Sequence, residues 1–271
     1  MSIAALTSEG AERKERSDRF RSTWRAAATL IVVAAIYEAF ARSGMFPPAL
    51  LPTLPKIFNT LVASLLDGSM LVHAASTLYR VLFGLGLAIV VAIPLGILMA
   101  RFKPIEHFVL PLASALMPIP SLAWVPVFIL WFGLGDAVTV AIVFYAGMFP
   151  MLLNTWTGVK AVKEIWVRSA QAMGADNRRL FRHVILPGAL PYILTGLRLG
   201  LAQAWRILVG VEMLAAVSWG MGWMIFGARE FLNTDVMLAG VVVIAVIGLA
   251  LEKLVFQRIE HLTVVRWGML S

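Results

Sequence analysis

Apolar residues run along most of this chain in blocks close to the thickness of a bilayer, with short charged stretches between them. A spanning helix needs about 20 mostly apolar residues. Val81–Ala100 is one such block and carries no charge. Phe108–Leu134 is a second uncharged block, interrupted by Pro111, Pro118, Pro120 and Pro126. Ala137–Val159 is another; counted in chain order from Trp24–Phe40, the blocks Val81–Ala100, Phe108–Leu134 and Ala137–Val159 are the second, third and fourth. Trp24–Phe40 is shorter, with Arg25 able to snorkel and Glu38 near its far end. Ala189–Leu214 is long but includes Arg198 and Arg206, and Val236–Leu251 closes the series. The pattern predicts an all-α integral membrane protein with about six transmembrane helices, which puts both termini on one side. Residues 23–257 read as a single membrane domain, 1–22 as a polar N-terminal tail and 258–271 as a C-terminal tail.

Two stretches depart from plain spanning helices. Residues 44–72 carry Pro47, Pro48, Pro52 and Pro55, and their Pro55–Leu66 part predicts a short helix lying on the membrane. In the third block, Pro118 and Pro120 each lack a backbone donor. Irregular backbone at membrane depth must be buried in protein or line a cavity. The block therefore reads as two helical pieces around a proline-rich break.

Composition agrees with the pattern: 60% of the 271 residues are hydrophobic, and the mean hydropathy is +0.86. That is too apolar for an ordinary soluble domain. There is no cysteine, so disulfides and thiolate metal sites are excluded, and His73, His107, His183 and His261 have no metal-ligand spacing. The net charge is +8. The basic residues flank the apolar blocks, which fits membrane topology and not nucleic-acid binding. Arg13, Lys14, Arg16, Arg19, Arg21 and Arg25 precede the first block, and Arg101 and Lys103 follow the second. Lys160, Lys163, Arg168, Arg178, Arg179 and Arg182 lie between the fourth and fifth, and Lys253, Arg258 and Arg266 near the end. The other side has Arg42, Lys56, Arg229 and the boundary residue Arg80. By the positive-inside rule both termini and the 160–187 loop are expected to be cytoplasmic. A cleavable leader ending near Ala39-Phe-Ala41 is the rival reading of the first block, and Glu38 sits badly in its cleavage region.

The 160–187 loop is amphipathic. On a helical wheel Val162, Trp166, Met173, Leu180 and Val184 share one side, while Lys160, Glu164, Arg168, Gln171, Arg178 and Arg182 take the other. Gly174 is expected to divide the segment into two short helices, and Pro187 suits the start of the next span. An apolar stripe of this kind rests on the membrane bundle and offers its polar face to a cytoplasmic partner. A generic interfacial helix anchored by arginines has the same pattern.

Several segments occur here in the order seen in one family. They are Met117-Pro-Ile-Pro-Ser-Leu-Ala-Trp-Val-Pro126, Leu130-Trp-Phe-Gly-Leu-Gly135, the Ser169–Pro187 loop, Ala189-Leu-Pro-Tyr-Ile193, Gly196-Leu-Arg-Leu199 and Glu212-Met213. The chain resembles the permeases of the nitrate/sulfonate/taurine branch of binding-protein-dependent ABC importers over about residues 75–268. At Arg168 it departs from that family, which has a glutamate there. The resemblance implies the type I importer permease fold and a non-catalytic pore subunit with no cofactor of its own, ATP and Mg being bound by a partner. It implies cytoplasmic ABC ATPase subunits, a periplasmic or lipid-anchored solute-binding protein, and a second permease, either another copy of this chain or a sister. It also implies a bacterial inner membrane as the location. The coupling residues it assigns are Ser169, Ala170, Gln171, Ala172, Met173, Gly174, Ala175, Asp176, Arg178, Leu180 and Phe181. Consistent with a non-catalytic subunit, the chain contains neither a G-x-x-x-x-G-K-[ST] nor an H-E-x-x-H motif.

Charges within the apolar blocks need a reason, because each costs about 2.5–3.5 kcal/mol at the bilayer centre on insertion scales. Arg206 lies roughly 25 Å into the fifth block at 1.5 Å per residue, and Glu212 further still. Six residues apart on one helix, they face differently and are not expected to pair with each other. Glu38 is one candidate partner. Arg206, Glu212, Trp131 and Glu38 are the translocation-pathway candidates, with Arg206 giving the pathway a positive lining that favours an anion such as nitrate, a sulfonate or taurine, bicarbonate or an organic acid. Gly196 and Gly200 form a small-residue pair suited to close helix packing. The alternative function is a proton-coupled secondary transporter using Glu38, Arg206 and Glu212.

Overall fold

Helices account for every regular element among the described residues, which are 24–25 and 28–256 of this computed structural model. The expected tails, and with them Arg13–Arg21, Arg258 and Arg266, lie outside the described residues. So does part of the first block.

The first described helix, α1, covers 28–42. α2 (Leu54–Leu66) is the short helix expected from the proline-bounded outer segment, with Pro55 in its first turn. α3 (Ser69–Arg101) runs well ahead of its uncharged block. Arg80 therefore lies inside the helix, roughly 16 Å from its start at 1.5 Å per residue. α4 (Lys103–Leu116) ends at the Met117–Pro120 stretch, a 3₁₀ turn (Ser121–Trp124) follows, and α5 (Val125–Phe132) completes the block. The two pieces meet at 93°, the break expected from the prolines. α6 (Asp136–Lys160), α9 (Leu186–Leu214) and α11 (Thr234–Ala250) match the fourth, fifth and sixth blocks. α7 (Glu164–Ala172) and α8 (Asn177–Leu180) occupy the loop, and α10 (Met221–Glu230), which the pattern did not predict, precedes α11. Among the described residues four helices are long and apolar enough to cross a bilayer, five if the bent pair counts as one span. The sixth expected span is α1, whose start is only partly described.

The core forms where α6 packs between α3 and α9. Val81, Leu85, Ala88, Val143, Leu152, Ala204 and Leu208 are buried there. The pair Gly196 and Gly200 sets the α6–α9 approach. A Cβ on Gly196 would lie 2.9 Å from the Asn154 Cβ, and one on Gly200 would lie 2.9 Å from the Gly147 carbonyl oxygen. Close backbone approach at small residues is how membrane helices gain packing when lipid is as apolar as leucine. The outer faces stay apolar and exposed, for example Leu30, Ile31 and Val33 on α1 and Val242 and Val246 on α11. That is the surface lipid requires.

Candidate functional site

The loop between α6 and α9 is built by two local devices. α7 ends in a Schellman turn: Gly174 has φ +80°, its N–H donates to the Gln171 carbonyl, and the Ala175 N–H donates to that of Ala170. α8 then starts on Asp176, whose Oδ1 accepts from the Arg179 N–H at 2.7 Å, a side-chain N-cap. The division at Gly174 is thus as expected, but the continuous apolar stripe is not. Leu180 is buried and Val162 and Val184 are half-buried, whereas Met173 is 82% exposed. The left-handed turn resets the helix register, so one wheel cannot run through both pieces. Val162 and Trp166 instead pack over the start of α9, where a Cβ on Gly188 would lie 3.2 Å from Val162 Cγ2. Ala170 is buried, Ala175 and Phe181 are half-buried, and Ser169, Gln171, Ala172, Asp176 and Arg178 are exposed. Arg168 pairs with Glu164 at 2.7 Å on the exposed face. Phe181 lies beneath the Arg101 guanidinium, 5.5 Å from the ring centre.

A cavity of about 280 Å³ opens where the proline-rich break meets α6 and α9. Met117–Ser121 line one side, and Tyr145, Phe149, Gln203 and Arg206 the other. Arg206 Nε donates to the Ala202 carbonyl of its own helix at 3.0 Å. Among the described residues no carboxylate forms an ion pair with it. Trp131 is 66% exposed and stacks on Phe128, with ring centres 5.5 Å apart; it is not among the cavity's lining residues.

Glu212 is buried elsewhere, at the far end of α9. Its Oε1 accepts from Arg80 Nη1 at 2.7 Å, and its Oε2 from the Gly222 N–H at 2.9 Å. The Thr77 hydroxyl sits 3.0 Å from both oxygens. Arg80 in turn donates through Nε and Nη2 to Asp136 Oδ1, at 2.8 and 2.7 Å. Thr77 also accepts from the Met221 N–H. Side chains of α3 and α9 therefore accept from the first two N–H donors of α10, those of Met221 and Gly222; α10 has no side-chain cap of its own. A Cβ on Gly220 would fall 2.7 Å from the Glu212 carboxyl, so only glycine fits against the carboxylate. Glu212 thus takes its cation, Arg80, from another helix, and the candidate partner Glu38 pairs with neither Arg206 nor Glu212. Glu38 instead binds Arg42 at 2.6 Å and the Leu54 N–H at 2.8 Å.

Sequence reasoning missed Arg80, Asp136, Thr77, Tyr145 and Gln203. Thr77 and Arg80 are three apart on one face of α3, a signal that was available. The role of Tyr145 depends on a partner distant in sequence and left none.

Apolar helices long enough to cross a bilayer, one of them bent, and an open cleft lined by Arg206 mark a membrane-embedded protein. Residues 92–259 match the family described as binding-protein-dependent transport system inner membrane component, and the chain belongs to that family. It is 36% identical over 229 residues to the taurine transport system permease protein TauC of Escherichia coli (strain K12), covering 83% of each chain. It is 32% identical over 255 residues to a putative aliphatic sulfonates transport permease protein, SsuC, of Bacillus subtilis (strain 168), covering 94% of this chain and 91% of that one. The bicarbonate transport system permease protein CmpB of Synechococcus elongatus is 29% identical over 191 residues, 70% of this chain and 68% of that one. Among solved structures, an inward-facing MetNI methionine ABC transporter chain matches with a TM-score of 0.54 at 18% identity, over 70% of this chain and 94% of that chain. That likeness shows the type I permease fold. The chain is the permease subunit of an ABC importer, embedded in the inner membrane and non-catalytic, and it works with a separate ATPase and a solute-binding protein. These likenesses give no support to the proton-coupled alternative.

Proposed function

We propose that the chain forms half of a pore for a small anion of the sulfonate class in a bacterial inner membrane. Both termini and the 160–187 loop face the cytoplasm. The polar face of Ser169–Phe181 docks the ATPase, which binds ATP and Mg, and a second copy of this chain completes the pore. A sister permease in that place is distinguished by its mass in the purified complex. The observation that carries the anion reading is Arg206 lining the cavity at the proline-rich break, with no carboxylate paired to it among the described residues. The names of the taurine and sulfonate permeases support the same substrate class.

In such a pore the arginine replaces part of the anion's hydration shell as it leaves the binding protein. The Gln203 amide beside it offers a further donor. The test is uptake of radiolabelled taurine, an aliphatic sulfonate and bicarbonate by proteoliposomes holding the permease, its ATPase and its binding protein. Arg206→Gln is expected to lower uptake about tenfold or more, the scale of one charged hydrogen bond, at unchanged abundance. Arg206→Lys is expected to keep part of it. Normal uptake by the glutamine variant would remove Arg206 from the pathway.

A further inference from the structure

The proline-rich break has a defect that another helix repairs. In an α-helix the Leu116 carbonyl would accept from the N–H four residues on, but that residue is Pro120, which has none. The Ile119 N–H reaches it in a tight turn at 3.1 Å. The Tyr145 hydroxyl of α6 donates the second bond, at 3.0 Å. Tyr145 also lines the Arg206 cavity. At the opposite end of α4, Glu106 pairs with Lys160, the last residue of α6. That glutamate side chain is only 14% exposed. α4 otherwise packs most closely along α3.

α6 is therefore joined to α4 near both ends of α4, and it leads directly into the loop. Lys160 stands four residues before α7, and Tyr145 lies about 22 Å up the helix at 1.5 Å per residue. We infer that Glu106 and Tyr145 are positioning residues that make α4 follow α6, so that a displacement of the loop is delivered to the Met117–Pro120 break and changes the width of the cavity. The inference rests on the reading of the 160–187 loop as the ATPase dock. A helix held at two points transmits an axial shift, whereas the break, short of backbone donors at Pro118 and Pro120, is where the chain bends most readily.

The experiment measures substrate imported per ATP hydrolysed, in proteoliposomes holding permease, ATPase and binding protein, with taurine as probe. Glu106→Gln lies away from the cavity and is the primary variant. Tyr145→Phe keeps the ring and removes only the donor. Each is expected to lower the ratio about fivefold, the scale of one hydrogen bond, with the ATPase still retained on the purified complex and KM for taurine unchanged in Glu106→Gln. The charge-exchanged pair Glu106→Lys with Lys160→Glu is expected to recover at least half of the ratio. A purely structural role would lower transport and hydrolysis together and leave the ratio intact. An unchanged ratio in both single variants, or no recovery in the exchanged pair, overturns the inference. Retention of the ATPase after residues 169–181 are scrambled would overturn the docking reading itself, and the inference with it.

Discussion

Arg80→Met offers the most direct check on the packing of this permease. Arg80 is 3% exposed and Glu212 is fully buried, so the substitution leaves a carboxylate without its cation. Breaking a buried pair by removing one partner costs about 3–5 kcal/mol. The Gly222 N–H and the Thr77 hydroxyl remain on Glu212, which places the expectation near the lower end, about 3 kcal/mol. The lost contact to Asp136 adds little, because that side chain is 61% exposed. For a chain of this size about 3 kcal/mol lowers the melting midpoint by roughly 6–12 °C. The assay is thermal unfolding of the purified permease in mild detergent. Glu212→Gln keeps an acceptor for the Gly222 N–H, so the double variant Arg80→Met/Glu212→Gln is expected to recover more than about 1.5 kcal/mol relative to additivity. A single variant that melts within about 2 °C of the parent, or a strictly additive double variant, would refute the account of this cluster.

Two further changes read other parts of the fold. Gly200→Val is expected to force α6 and α9 apart, since a Cβ there already lies 2.9 Å from the Gly147 carbonyl oxygen. A loss of about 1–3 kcal/mol follows, readable as a lower melting midpoint in the same detergent. Gly174→Ala meets no neighbour within 4 Å but must hold φ +80°, a strain of about 1 kcal/mol. It is expected to weaken ATPase retention about fivefold, while Gly174→Asn, which tolerates the left-handed turn, is expected to spare most of it. Equal retention in the two variants would detach the turn geometry from docking.

The spanning blocks were legible because bilayer thickness imposes a length and an apolar composition that survive in one dimension. The break at Pro118 and Pro120 was legible for a similar reason, since a missing donor is a property of the residue itself. The turn at Gly174 was equally local. Where the reading failed, three-dimensional placement decided. Met173 left the apolar stripe because α7 turns the Val167 and Ala170 side inward and leaves the Trp166 and Met173 side outward, and the left-handed turn at Gly174 then starts α8 on a new register. Glu212 found Arg80, a partner the sequence reading had not named, because α3 begins before its uncharged stretch and carries Arg80 into the bundle. α10 stayed invisible because its first donors are satisfied by Thr77 and Glu212, residues remote in sequence, so no local cap announced it. The cavity joins Arg206 to the proline-rich break, two features noted separately in the sequence whose meeting depends on the crossing of α6 and α9.

The measurement closest to the central claim is co-purification from native membranes in mild detergent, with mass spectrometry of the retained chains. The account predicts a P-loop ATPase that stays bound to the intact permease and is lost when residues 169–181 are scrambled, with the chain still inserted. A solute-binding protein in the same sample would identify the substrate through its ligand. An ATPase that remains bound to the scrambled chain, or an intact permease recovered without one under conditions that preserve a known importer complex, would contradict it.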